Sequence, residues 1–341
     1  MIKYIQATSA ARANELLSQV YPQIKRDFGA LVEPFTLHSP APQVLAGVWI
    51  ATRETELVGN ARREIKEAVA ASISQLNQCP YCEDAHTMML HASAAHDIAA
   101  AISNSRGEQI EDPALRKTVA WAAATLSPGD PRLLEAPFSA QDAPEIIGTA
   151  IMFHYINRMA SLFLDDTPLP SNKSWLKGTL KRLAGRYFSR AARRKKEAGT
   201  SLALLPAADL PADLDWAADS PCVSGAFARL AAVIETAGQN ALPESARLLT
   251  QAYVENWRGE TPGLSRRWVE EAIVGLDEAA KPAARLALLT AIAAYQIDRQ
   301  VIDDFRIHHP DDRQLIEASA WASFTAARRI GRWLGVQKIR N

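Results

Sequence analysis

Residues 77–97, NQCPYCEDAHTMMLHASAAHD, hold two of the chain's three cysteines and three of its seven histidines. A Cys-x-x-Cys-x-x-x-His spacing can close a redox disulfide, hold a metal or simply fill a core. Pro80 narrows the geometry. Proline suits the first turn of a helix, where its missing N–H costs nothing, so Cys79 is expected at the N-cap, Pro80 at N1 and Cys82 at N3. A sulfur there meets unpaired backbone N–H groups and the positive end of the helix dipole, which favour thiolate over thiol. His86 follows Cys82 by four residues, one turn along the same face. A low-pKa thiol, a neighbouring base and a second thiol make a thiol redox site, with Cys82 expected to be the more acidic sulfur.

The rival chemistries leave residues unaccounted for. Zinc would accept Cys79, Cys82 and His86, but a structural site takes four ligands. Only the distant Cys222, or His91 and His96, remain, and His91 falls on the opposite helix face. A thioredoxin-type site needs a βαβ context, and covalent haem needs histidine where Glu83 stands. A buried structural pair of cysteines stays open, since free cysteine is commonly core. His38, His91, His96, His308 and His309 read as lone structural or surface residues. A base also needs a carboxylate to orient it. Glu64 and Glu67 precede the motif, although Glu67 reads equally well as an i,i+4 ion pair with Arg63.

The elements that must position these groups are helical. No segment shows sustained alternation with β-branched enrichment, and alanine is abundant throughout. Helices are expected over about 8–27, 43–56, 61–76 (capped by Asn60), 80–101, 113–125, 143–165, 173–197, 222–238, 242–257, 265–278, 281–305 and 311–334. The fold class is therefore all-α. Residues 1–168 are expected to form the domain with the cysteine site, 169–215 a basic helix and a Pro/Asp-rich linker, and 216–341 a second helical domain. The basic run of helix 173–197, Arg193 to Lys196 especially, has the charge to bind RNA or anionic lipid, but the balanced total charge favours a solvated helix packed on both halves. Lys+Arg and Asp+Glu both total 38, so no global field favours nucleic acid or membrane. The longest near-apolar run, 286–295, is about half a membrane span. Three cysteines are too few for a secreted disulfide framework, and the N-terminus shows no secretory pattern, so a cytoplasmic protein is expected.

Glu67, then Cys79-Pro80-Tyr81-Cys82, then His86 reproduce the Glu-x11-Cys-x-x-Cys-x-x-x-His signature of the alkylhydroperoxidase AhpD family, within the carboxymuconolactone decarboxylase superfamily. Residues 63–90 resemble that family's core throughout, 153–164 resemble its closing helix, and the close likeness covers roughly 40–165. The resemblance implies an all-helical fold, assembly into homo-oligomers and cysteine-based reduction of peroxides without cofactor or metal. It implies Cys82 as the peroxidatic thiolate, His86 as its activating base, Cys79 as the resolving thiol and Glu67 as the relay carboxylate. It also implies a dithiol or lipoylated protein as reductant. The family's second histidine, between the cysteines, is Tyr81 here. A lactone-acid decarboxylase, within the same superfamily, and a non-enzymatic redox sensor or scaffold are the alternatives.

Residues 284–306 can be laid on 66–88 without a gap, a shift of 218. That register puts Ile297 at Cys79, Gln300 at Cys82, Asp304 at His86 and Arg285 at Glu67. A second echo, Asp312, Leu315, Ala320 and Trp321 against Asp112, Leu115, Ala120 and Trp121, runs at a shift of 200. The second half is thus expected to be a degenerate AhpD-like repeat, leaving one working site per chain.

Overall fold

The computed structural model describes residues 1–93, 95–168, 189 and 196–335. Its helices are α1 (Glu15–Phe28), α2 (Glu33–Thr36), α3 (Pro42–Thr52), α4 (Arg63–Leu76), α5 (Pro80–Ala92), α6 (His96–Ser103), α7 (Pro113–Ala122) and α8 (Ala143–Phe163). After the link come α9 (Pro221–Ala241), α10 (Glu244–Asn256), α11 (Arg267–Ile273), α12 (Lys281–Ile292), α13 (Arg299–Arg306) and α14 (Asp312–Gly335). Among the described residues there is no strand, only an isolated antiparallel bridge between Ile2 and Leu164. The all-α expectation holds. The basic helix expected over 173–197 falls almost wholly outside the described residues.

Several expected helices are shorter or broken. The first begins at Glu15, where the Asn14 side chain accepts from Leu17 N–H, rather than near residue 8. The expected 80–101 helix ends at Ala92 and restarts at His96. The expected 281–305 helix breaks after Ile292, and Asp298 caps a new start by accepting from Val301 N–H. Asn60 does not cap α4. Its backbone N–H donates instead to Glu145, 85 residues away.

The core sits around α8, in which Ser161 alone is not buried. A helix apolar on every side belongs in the middle of a fold. α4 and α14 pack on α8, α9 lies between α3 and α14, and α12 braces α14 from beyond. One hydrophobic cluster draws on both 1–168 and 216–335, including Trp49, Trp121, Trp216 and Trp321. A smaller one under α6 and α7 holds Ala68, Leu90, Ile102 and Leu115. Buried Arg53 donates to Asp27, Glu54 and the Glu197 carbonyl, while Glu54 accepts from Gly199 N–H and the Ser201 hydroxyl. These bonds fasten the end of the link to the first half.

Three local devices aim the site. α3 runs into a π-helical turn, Arg53–Leu57, all five residues of which are buried. Such turns advance the register by one residue and recur at functional sites. Gly59 then turns the chain at φ +103°, where a Cβ would strike the Glu145 carboxylate. That carboxylate accepts from the N–H groups of Asn60 and Ala61 and from Lys66 Nζ at 2.7 Å. Lys66 Nζ also donates to the Val58 carbonyl. Finally, α4 ends in a Schellman turn. Gln78, at φ +52°, donates to the Gln75 carbonyl, and Cys79 N–H reaches back to Ser74 O at 2.9 Å.

The Lys66–Glu145 pair holds the strap between the π-turn and α4. Lys66→Met leaves a buried carboxylate facing two backbone donors without its counter-charge. Breaking such a pair costs about 3–5 kcal/mol, and urea unfolding should show a loss of that size. An unchanged midpoint would mean that the pair holds nothing.

Candidate active site

Pro80 is the first residue of α5 and Cys79 its N-cap, as the sequence implies. Both thiols are buried and free, and Cys79 is near enough to Cys82 to favour its neutral form. They differ in what they face. Cys82 lines a cavity of 550 Å³ together with His86, Glu56, Tyr81 and Phe153, and Cys79 does not. Apart from Glu33 and Thr52 the rest of that wall is apolar, with Phe28, Leu31, Phe35, Met88, Met89 and Ile156 among its residues.

Behind the cavity stands the carboxylate. Glu67, fully buried on α4, accepts from His86 Nδ1 at 2.7 Å and from Arg63 Nε at 2.6 Å. Glu67 thus meets Arg63 and His86 at once, because its two oxygens serve different partners. Burial opposes its ionisation, but Arg63 and His86 outweigh that and hold the carboxyl down at about 2. For His86, burial pulls the pKa down, and the bond to Glu67 more than offsets it, so the imidazole pKa is raised. With Nδ1 committed to Glu67, Nε2 is the ring nitrogen left for chemistry. The ring stands edge-on to Phe153, centroids 4.4 Å apart.

Sequence reasoning missed Glu56. It sits in the π-turn, 1% exposed, with Oε1 at 3.3 Å from Arg63 Nη2 and 3.8 Å from His86 Nδ1. Among the described residues its Oε2 has no hydrogen-bond partner. Burial, and then the negative charge of Glu67, push its carboxyl up to about 7, against the pull of Arg63 and His86. The signal was long-range. Nothing in ATRETEL marks the second glutamate as facing Cys82 and His86.

Two expectations need correction. The Cys82 thiol is pushed up, not down, because burial and the neighbouring Cys79 both favour the neutral form. The helix N-terminus does not overcome loss of water. His91 and His96 are not lone residues, since their Nδ1 atoms lie 2.8 Å apart. Tyr81, in place of the family's second histidine, donates its hydroxyl to Glu33 at 3.0 Å. Glu56, Glu67 and His86 have ligand atoms close enough to converge on a cation. Arg63, however, already supplies positive charge to both carboxylates, and the Glu67–His86 contact is a direct hydrogen bond.

A strand-free helical fold whose Cys-x-x-Cys pair lies beside a buried Glu–His pair is the arrangement that the AhpD resemblance implies. The chain is 38% identical over 334 residues to the Mycobacterium tuberculosis protein named alkyl hydroperoxide reductase Rv2159c, covering 98% of this chain and 95% of that one. No family model matches. The chain belongs to the AhpD-like alkyl hydroperoxide reductase family. Among the described residues no helix is long and apolar enough to cross a membrane.

Two outcomes follow from the thiol geometry. Mild oxidation should join Cys79 to Cys82, which lie within one helical turn at the start of α5, while Cys222 remains alkylatable in peptide maps. At neutral pH, iodoacetamide should alkylate Cys82 more slowly than an exposed thiol of pKa about 8.5, and faster as the pH rises. A rate above that of the exposed thiol would contradict the burial effect.

Proposed function

We propose that this chain is a cysteine-based peroxidase that reduces organic hydroperoxides at Cys82. The observation that carries it is the largely apolar cavity shared by Cys82, His86 and Glu56, with Cys79 at the cap of the same helix. The name of the mycobacterial relative supports the same chemistry. A hydroperoxide with an apolar body enters the cavity, and the Cys82 sulfur attacks its terminal oxygen. The O–O bond breaks, Cys82 becomes a sulfenic acid, and the departing alkoxide takes a proton to leave as the alcohol. Cys79 then displaces water from the sulfenic acid to form the disulfide, which an external dithiol reduces with two electrons. A small dithiol or a lipoylated protein has the chemistry required.

Proton traffic falls to the pair behind the thiol. His86, held by Glu67, accepts the Cys82 proton on Nε2. Glu56, protonated below about 7, hands one to the alkoxide. The second half carries none of this chemistry. α4 begins at Arg63 and α12 at Lys281, the same offset of 218 that the sequence suggests. At the matching positions Arg285 pairs with Glu270, and Gln300 donates to Asp304. In this proposal the second half is a structural copy and each chain works one site.

With cumene hydroperoxide and excess dihydrolipoate, the protein should consume many equivalents, and Cys82→Ser should consume none. Oxidation of a single equivalent that then stops would mark a sensor and not an enzyme. Glu56→Gln tests the proton donor. The falling limb of the pH–rate profile near 7 should vanish, because glutamine has no proton to lose there. The rate below that pH should drop by roughly 10²-fold, the scale of general acid catalysis. A profile and rate like those of the wild type would remove Glu56 from the reaction.

A further inference from the structure

Buried charges are normally paired, and this protein mostly obeys. Arg53 meets Asp27 and Glu54, Lys66 meets Glu145, and Arg63 meets Glu67. Arg158 on α8 does not. It is 8% exposed, and its guanidinium lies over the Trp257 ring at 5.7 Å. Its Nε donates to the Ala291 carbonyl at 2.8 Å and Nη1 to the His154 carbonyl at 2.6 Å. Among the described residues Nη2 has no hydrogen-bond partner and no carboxylate pairs with the group. Burial draws its pKa down to about 10, which still leaves it charged at neutral pH.

Arg158 lines a second cavity, of 310 Å³, on the far side of the α4–α5 turn from the Cys82 cavity. Asn157 lines it too, although its Nδ2 lies behind the wall, buried and without a partner among the described residues. The unspent donor that can border this space is Arg158 Nη2. Trp257, Leu126, Ile292 and the 91%-exposed Leu264 give the same cavity an apolar wall. The acid among the lining residues, Glu260, is exposed and accepts from the Arg258 backbone N–H. A cavity of about 150 Å³ suffices for benzene, so this one has room for an aromatic or branched acid.

We propose that this cavity binds a small organic carboxylate with an apolar body, its carboxyl group taken by Arg158 Nη2. The site is separate from the thiols, and the proposal does not depend on the peroxidase reading. Titration calorimetry of the full chain with benzoate, benzamide and inorganic phosphate tests it, using wild type, Arg158→Gln and Ser161→Phe. Ser161 lines the cavity, so phenylalanine there fills it while Arg158 stays. Benzoate should bind one to one, at least tenfold tighter than either benzamide or phosphate, and both variants should lose at least tenfold. Absence of benzoate binding to the wild type would overturn the proposal, as would benzamide binding equally well. Phosphate matching benzoate would remove the apolar body. Binding that survives in Ser161→Phe would place the acid elsewhere, even if Arg158→Gln failed to fold.

Discussion

The Glu67 carboxylate is the constraint on which the site rests. An ionised carboxyl with no access to water is tolerated only when opposite charge and hydrogen bonds replace its hydration. Arg63, one turn back on α4, and His86, on α5, do so from opposite sides. This arrangement fixes how the two helices pack, because a rotation of either would strand a charge. It also fixes which imidazole nitrogen is free, and hence where a proton can be taken up. Arg63 reaches a second carboxyl in Glu56, and there the balance reverses. A single guanidinium satisfies Glu67 fully and Glu56 only in part. One carboxyl stays ionised and the other holds its proton into the neutral range. Two like groups pushed apart in this way form an acid–base couple.

Backbone geometry does the rest of the aiming. The extra residue of the π-turn swings Glu56 toward the cavity, and Gly59 with the Lys66–Glu145 pair returns the chain to α4 in register. At the other end of α4, Gln78 takes a left-handed conformation that costs a non-glycine residue about 1–2 kcal/mol. That strain delivers Cys79 to the cap of α5 and Cys82 to its first turn. The core supplies the counterweight, since α8 is buried along nearly its whole length and holds α4 from behind.

The parts of this arrangement legible in the sequence are those governed by short-range rules. Pro80 fixed the helix start, the four-residue interval put His86 one turn beyond Cys82, and the eleven-residue gap left Glu67 on the preceding helix. The helical period located nearly every element. The failures have long-range causes. Asn60 has the chemistry of a cap, but Glu145, far along the chain, claims its backbone. Ile292 ends a helix that pattern alone would have continued, because Asp298 offers a better start. The acidity of Cys82 was inferred from the helix dipole, whereas its direction is set by burial, which spacing does not reveal. Glu56 was invisible because the π-turn departs from the 3.6-residue period on which such inference relies.

The same central helix borders both cavities. Phe153 and Ile156 of α8 face the thiol cavity, while Asn157, Arg158 and Ser161 face the second. Between them lies the α4–α5 turn, with Asn77 and Gln78 on the second cavity and Cys82 on the first. Asn157 Oδ1 accepts from the Ser74 hydroxyl, and the Ser74 carbonyl accepts from Cys79 N–H. Asn157, on the wall of the second cavity, is therefore two hydrogen bonds from the Cys79 backbone. Forming the Cys79–Cys82 bond requires the first turn of α5 to adjust, and that turn is anchored through Ser74. The second cavity thus adjoins the turn that carries Cys79, and both halves of the chain build its walls.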